Sequence, residues 1–82
     1  MNEVEIIERL TPIARRIFKD ETLLIDVNLD FTKVPNWSSL TFTSLLASVE
    51  ADFGFRFNMM EILQIHNIGD IVKMINNHLS HV

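Results

Sequence analysis

The sequence predicts an all-α domain, a four-helix bundle with a long first loop and a short third helix. Apolar residues recur at three- and four-residue intervals in three segments, which is typical of helices that bury one face. One other segment alternates like a strand, but the only further alternation is too short to pair with it in a stable sheet. At 82 residues, the chain 1–82 is expected to form one domain with a single modest core.

The first helix is predicted from Val4 to Phe18. Its apolar stripe consists of Ile6, Leu10, Ile13, Ala14 and Ile17. Pro12 interrupts the pattern, because proline removes one helical hydrogen bond and clashes with the preceding turn. We expect either a kink at this point or a second helical piece that Thr11 caps and Pro12 begins.

Residues 19–37 form the long first loop. Its apolar residues alternate with polar ones, and they are Leu23, Ile25, Val27, Leu29 and Phe31. Without a partner strand, the segment is interpreted as an extended connection that these side chains attach to the bundle. A loop of this length without regular structure is often functional.

The second helix is predicted from Leu40 to Phe53, and it is followed by Gly54, which tolerates left-handed backbone angles. Its apolar positions are Phe42, Leu45, Leu46, Val49 and Phe53. A short third helix is expected across Met59 to Gln64, with Asn58 as its cap.

The fourth helix is predicted from Ile68 to Leu79. Its apolar positions are Ile68, Ile71, Val72, Ile75 and Leu79. Asn67 is a candidate cap, and Asp70 follows three residues later in the first turn, where a carboxylate is favoured.

Charge and composition exclude several classes of protein. The net charge of −4 disfavours binding to nucleic acid phosphates and suits partners with basic patches. The chain has no cysteine, so it needs no oxidising compartment. No segment resembles a signal peptide or a membrane span. We expect a cytoplasmic protein, and nothing in the chain requires more than a monomer.

Two adjacent hydroxyls, on Ser38 and Ser39, stand at the start of the second helix. Serine is favoured as a helix cap, and Ser38 in that position could accept a hydrogen bond from the first turn. Capping accounts for one hydroxyl. The free N–H groups and the helix dipole also favour an anion at this place, so a phosphodiester on Ser39 would be stabilised.

Several motifs together resemble the acyl carrier protein family. The run from Trp37 to Phe57 begins with Trp-Ser-Ser-Leu and ends with Phe-Gly-Phe-Arg-Phe. The start of the last helix, Asn67–Val72, is similar to the hydroxyl-hydrophobe-Gly-Asp motif of that family, and Leu29–Phe31 resembles its lead-in to the modified serine. The resemblance extends from Val4 to Leu79.

This resemblance implies a carrier without catalytic activity. A phosphopantetheinyl transferase would attach 4′-phosphopantetheine from coenzyme A to Ser39, and the arm would carry acyl or aminoacyl groups as thioesters. Acyl-loading and acyl-transfer enzymes of a fatty-acid, lipid or specialised pathway would then be the partners. The resemblance also implies an acyl channel, although ordinary core packing explains its candidate residues equally well. These are Phe42, Leu46, Met60, Ile62 and Ile65.

Two departures from the family pattern concern partner recognition. Ser38 replaces the aspartate that usually precedes the modified serine, so a contact with the transferase is lost. Thr41 and Ser44 occupy surface positions that are acidic in many fatty-acid carriers, which leaves Glu50 and Asp52 near the end of the helix. Trp37 is more similar to carriers of specialised pathways, including aminoacyl carriers.

Three other functions are considered. In the first, the fold is retained without modification, and the protein is a non-catalytic interaction module. In the second, Ser39, His66 and Asp70 form a hydrolase triad, but so small a domain has little room for a pocket. In the third, His66, His78 and His81 bind a metal, although no further ligand cluster is visible and solvated histidines explain them better.

Overall fold

Four helices and a long loop make up the computed structural model, which describes residues 2–79. The helices are α1 (Glu3–Phe18), α2 (Ser39–Phe53), α3 (Met59–Leu63) and α4 (Ile68–Leu79). A short 3₁₀ helix, Phe31–Lys33, lies within the first loop. In the described part of the chain, none of the helices is long and apolar enough to cross a membrane. The all-α bundle with a long first loop and a short third helix is confirmed.

Helix α1 passes through Pro12 without interruption. The hydroxyl of Thr11 donates to the carbonyl oxygen of Ile7 over 2.8 Å, as it does inside a helix, and it does not cap a new one. The helix begins instead at a capping box formed by Asn2 and Glu5. The expectation of a two-piece helix was therefore wrong, because the caps and packing of α1 outweigh the loss of one hydrogen bond at proline.

The core is formed by α1, α2 and α4 together with four loop residues. From the helices, the buried residues are Ile6, Leu10, Ile13, Ala14 and Phe18; Leu45, Leu46, Val49 and Phe53; and Ile68, Ile71, Val72 and Ile75. The loops add Phe31, Val34, Phe57 and Ile65. Helix α3 contributes no buried residue. It therefore lies on the surface of a three-helix core.

The alternating loop pairs with the start of α4. The backbone N–H of Ile68 donates to the carbonyl of Leu29 over 3.1 Å, and that of Gly69 donates to Val27 over 2.9 Å. Asp30 and Asn67 form an isolated antiparallel bridge beside them. The loop thus satisfies N–H groups that the first turn of a helix leaves free. Its strand-like pattern is explained by this short pairing and by side chains that face the core.

Helix α3 is held by polar and aromatic contacts. Asn58 and Glu61 form a capping box, and the Glu61 carboxylate also lies 2.9 Å from Nε2 of His78 on α4. The ring of Phe55 stacks on His78 with centroids 4.5 Å apart. The Glu61–His78 contact thus attaches α3 to α4, the Phe55 stack attaches the segment before α3, and half-buried Ile62 packs against the core.

The two acidic residues near the end of α2 have structural partners. Asp52 forms an ion pair with Arg9 of α1 at 2.8 Å, and the same guanidinium lies over the ring of Phe53. The Glu50 carboxylate accepts a hydrogen bond from the N–H of Phe57 over 2.8 Å. Both carboxylates therefore connect α2 to neighbouring segments.

We predict that Gly69→Ala destabilises the protein by about 1–3 kcal/mol. A Cβ at this position would lie 2.9 Å from the carbonyl oxygen of Val27, which is a backbone atom and cannot rotate away. Chemical denaturation followed by circular dichroism measures the change. Lys73→Ala, on the exposed face of the same helix, is the control and should change the free energy of unfolding by less than about 0.5 kcal/mol. Equal stabilities of the two variants would contradict the close packing.

We predict that Glu61 contributes stability that acid removes. Burial, the largest influence, raises the pKa of this carboxyl, but the hydrogen bond from Asn58 and the contact with His78 outweigh it and lower the pKa. Because folding lowers this pKa, the ionised carboxylate stabilises the protein at pH values above the unfolded pKa of about 4.3. This contribution is lost as the pH falls below that value. Thermal unfolding from pH 6 to pH 3 should therefore show a steeper loss in wild type than in Glu61→Gln. Parallel curves would refute this role of Glu61.

Candidate functional site

The N-terminus of α2 is formed by a reciprocal capping box. The Ser38 hydroxyl oxygen accepts from the N–H of Thr41 over 3.2 Å, and the Thr41 hydroxyl oxygen accepts from the N–H of Ser38 over 2.8 Å. Ser38 has an extended backbone, as a cap residue requires. The predicted cap is thus confirmed, and the helix begins at Ser39.

Hydrogen bonds of Asn36 hold the segment before the two serines against the end of α1 and the first turn of α2. Its backbone is left-handed with φ of 70°, a conformation that asparagine tolerates better than most residues. Its side-chain amide donates to the carbonyl of Phe18 at the end of α1 over 2.9 Å. Its own carbonyl accepts from the Thr41 hydroxyl over 3.0 Å. Sequence reasoning missed this residue, although the Pro35-Asn36 pair is a turn signal.

The Ser39 hydroxyl is available for reaction. The residue is exposed, and within residues 2–79 no hydrogen bond involves its Oγ. In the same part of the chain, no carbonyl or side chain accepts from the N–H groups of Ser39 and Leu40. A phosphate ester on this Oγ would lie at the positive end of the α2 dipole, beside unsatisfied donors.

Exposed apolar side chains flank Ser39 in the chain. The side chain of Leu40 is 76% exposed and that of Trp37 is 39% exposed. The first turn of α2 contains no acidic residue. A partner that binds this surface would meet hydroxyls and hydrocarbon rather than carboxylates.

A cavity of about 190 Å³ lies next to this surface. Its apolar wall consists of Phe31, Trp37, Phe42 and Ile65, and its polar wall consists of Asp30, Thr32 and His66. Trp37 lies two residues before Ser39 and Phe42 three residues after it, so the same segment carries both the hydroxyl and the cavity wall.

The predicted channel residues have different environments in the fold. Phe42 and Ile65 share the small cavity. Leu46 belongs to the core and is 5% exposed, and Ile62 packs against that core while half-buried. Met60 is 65% exposed on α3 and does not line the cavity. The structure thus brings two of the five together.

The alternative triad is not assembled. The Asp70 carboxylate accepts from the backbone N–H of His66 over 2.8 Å and from that of Asn67 over 3.3 Å. It therefore caps the start of α4 and does not orient the His66 ring. Within residues 2–79, no three His, Cys, Asp or Glu side chains are grouped to hold a metal ion. His81 lies outside the described residues.

A larger concavity lies elsewhere, at the end of α1. Its volume is about 720 Å³, and it is lined by Arg15, Arg16, Lys19, Asp20 and Glu21. It contains charges of both signs and none of the predicted site residues. Volume therefore does not identify the functional site in this protein, and the smaller cavity beside Ser39 is the better candidate for that site.

A family model described as "Phosphopantetheine attachment site" matches residues 5–75. The chain belongs to this family. This domain is also similar to the solved structure of the holo acyl carrier protein from Geobacter metallireducens, with 25% sequence identity and a TM-score of 0.84. That match covers 92% of this chain and 86% of the other. No curated protein matches the sequence.

The phosphopantetheine attachment domain is a carrier and not an enzyme, and its prosthetic group is 4′-phosphopantetheine. The start of α2 fits this group, because among residues 2–79 it offers a hydroxyl without a hydrogen-bond partner and free N–H donors for the phosphate. When bound, the group supplies a terminal thiol that forms thioesters. Ser39 would hold it, while Ser38 and Thr41 maintain the helix start.

We predict that the two serines differ in their effect on stability. Ser38→Ala removes the cap and should lower the free energy of unfolding by about 1 kcal/mol. Ser39→Ala removes no hydrogen bond and should change it by less than about 0.5 kcal/mol. Urea denaturation of the unmodified proteins measures both values.

Ser38→Asp is the control for the cap, since aspartate also accepts at this position and complements the helix dipole. It should be close to wild type in stability. If Ser39→Ala proved the more destabilising variant, the assignment of the cap to Ser38 would be wrong.

Proposed function

We propose that this protein is an acyl carrier in which Ser39 bears the 4′-phosphopantetheine arm. A phosphopantetheinyl transferase attaches the arm, and acyl-loading and acyl-transfer enzymes use it to move acyl or aminoacyl groups as thioesters. Residues 1–82 act as one carrier domain, monomeric and cytoplasmic. The pathway is one of fatty-acid, lipid or specialised biosynthesis.

The observation that carries this proposal is the contrast between the adjacent serines. Ser38 is engaged in the capping box, whereas the Ser39 hydroxyl is exposed and has no hydrogen bond among the described residues. A transferase needs an available nucleophile. Both serines are exposed at the helix N-terminus, but among the described residues only the Ser39 hydroxyl is free of hydrogen bonds. The family match across residues 5–75 supports the same chemistry.

The cargo is proposed to bind between α2 and the segment that follows α3. Phe42 and Ile65 form its entrance, since they line the cavity beside Ser39. Leu46 and Ile62 lie deeper, within or against the core, and would move apart for a longer chain. Met60 on exposed α3 would contact cargo or a partner enzyme only at the surface.

Partner enzymes are proposed to recognise the apolar surface near Ser39. Leu40 on α2 and Met59 and Leu63 on α3 are strongly exposed, being 76%, 70% and 66% accessible. The acidic residues of α2 are occupied, because Asp52 pairs with Arg9 and Glu50 binds the Phe57 N–H. Recognition would therefore depend on apolar contact more than on a row of carboxylates.

We predict that Ser39 is the single point of modification. The protein is incubated with coenzyme A and a promiscuous phosphopantetheinyl transferase, and its intact mass is measured. Wild type should gain one phosphopantetheine group, and Ser39→Ala should gain none, because its α2 start lacks the free hydroxyl.

Ser38→Ala is the matched control, since it removes the neighbouring hydroxyl and leaves Ser39 in place. It should still be modified. A mass gain that persists in Ser39→Ala and disappears in Ser38→Ala would transfer the site to Ser38. A wild-type protein that no transferase modifies would favour the non-catalytic interaction module.

A further inference from the structure

The cavity beside Ser39 combines aromatic walls with a carboxylate. Phe31, Trp37 and Phe42 line it together with Asp30, and the Phe31 and Phe42 ring centroids lie 5.6 Å apart. Aromatic faces are electron-rich and attract cations, and a nearby carboxylate adds to that attraction. If the cavity held only hydrocarbon, the carboxylate would lose water without gaining a partner, which is unfavourable. This set of side chains is suited to an ammonium group.

The Asp30 carboxylate is charged and has one free oxygen. Its Oδ1 accepts from the Thr32 hydroxyl over 2.7 Å and from the Thr32 N–H over 2.9 Å. These bonds, with smaller contributions from Lys33 and His66, lower the pKa of Asp30. Within residues 2–79, no hydrogen bond reaches Oδ2, and no lysine, arginine or histidine forms an ion pair with Asp30. The second oxygen is left for a donor from outside the chain.

The cavity is suited to a small group that is close to the arm. Its volume of about 190 Å³ is below the roughly 300–1,000 Å³ of pockets for drug-sized ligands. Trp37 and Phe42 flank Ser39 in the sequence and both line the cavity. The segment that carries Ser39 therefore also forms two walls of this cavity.

We propose that this cavity binds the amino group of a short aminoacyl cargo, with Asp30 as the residue that determines this specificity. The inference rests on the proposed function, since the cargo is held on the arm of Ser39. A short cargo that ends in an ammonium group docks in the cavity, and a cargo of equal length that ends in a methyl group docks less well.

The experiment compares two stable arms of equal size. Coenzyme A is alkylated on sulfur with a 3-aminopropyl or a butyl group, and a promiscuous transferase loads each arm onto the protein, with intact mass as the check of loading. The aminopropyl form should unfold about 4 °C higher than the butyl form. It should also shift the emission of Trp37, which is the only tryptophan of the chain.

Asp30→Asn tests the specificity, since asparagine still accepts from Thr32 but carries no charge. Asp26→Asn is the matched control, because Asp26 accepts from the N–H of Asn28 in the same loop and does not line the cavity. The difference between the two arms should disappear in Asp30→Asn and remain in Asp26→Asn. Equal unfolding temperatures in wild type, or a difference that persists in Asp30→Asn, would overturn the inference.

A second measurement separates this inference from the proposed function. If the protein gains no mass, the carrier function at Ser39 fails, and the cavity is then tested with free propylammonium against n-butanol. Saturable NMR shifts of the Thr32 and His66 amide signals during titration with propylammonium, absent in Asp30→Asn, would support the ammonium site on its own. If neither probe distinguishes wild type from Asp30→Asn, the ammonium site is refuted. If loading succeeds without any preference between arms, the inference alone is refuted.

Discussion

The pairing of the first loop with the start of α4 is the interaction on which the site depends. Two backbone hydrogen bonds, from Ile68 to Leu29 and from Gly69 to Val27, hold a segment that has no other regular pairing in the described part of the chain. They satisfy helix donors and at the same time place Asp30 and Phe31 opposite Ile65 and His66. The cavity beside Ser39 lies between these two segments. Gly69 is needed there because a side chain would collide with the Val27 carbonyl.

Two adjacent serines share the N-terminus of α2 but have separate roles. Ser38 and Thr41 bond to each other and fix the first turn, and Asn36 ties this turn to the end of α1. The helix start is therefore rigid without any help from Ser39. Since no hydrogen bond among the described residues involves the Ser39 hydroxyl, esterification there would remove no stabilising contact, as the proposed attachment of the arm requires.

The acidic residues of this protein mostly support the fold. Asp52 joins α2 to α1, Glu61 joins α3 to α4, and Asp70 caps α4. These carboxylates already have partners, and the exposed residues next to Ser39 in the chain, Leu40 and Trp37, are apolar. Asp30 differs from them, since one of its oxygens has no partner among the described residues. That difference, together with its place in the cavity wall, is why Asp30 is the carboxylate proposed to contact cargo.

Local patterns in the sequence were sufficient for the helices and for the cap. The spacing of Leu45, Val49 and Phe53 predicts a helix because it places them on one face. Ser38 is expected to cap because serine is favoured at that position, where its hydroxyl accepts from the first turn. At Pro12 the sequence left a kinked or a two-piece helix open, because local sequence shows the lost hydrogen bond but not the packing that keeps α1 in one piece.

Only the tertiary structure decided what the long loop and the channel candidates do. The alternation from Leu23 to Phe31 predicts burial on one side, but its partner, the start of α4, is almost forty residues away from the loop and no local pattern points to it. For the same reason, Met60 and Ile65 look alike as apolar residues in the sequence, yet one is exposed and the other lines the cavity. Periodicity determines which face of a segment is apolar, whereas distant contacts determine what that face touches.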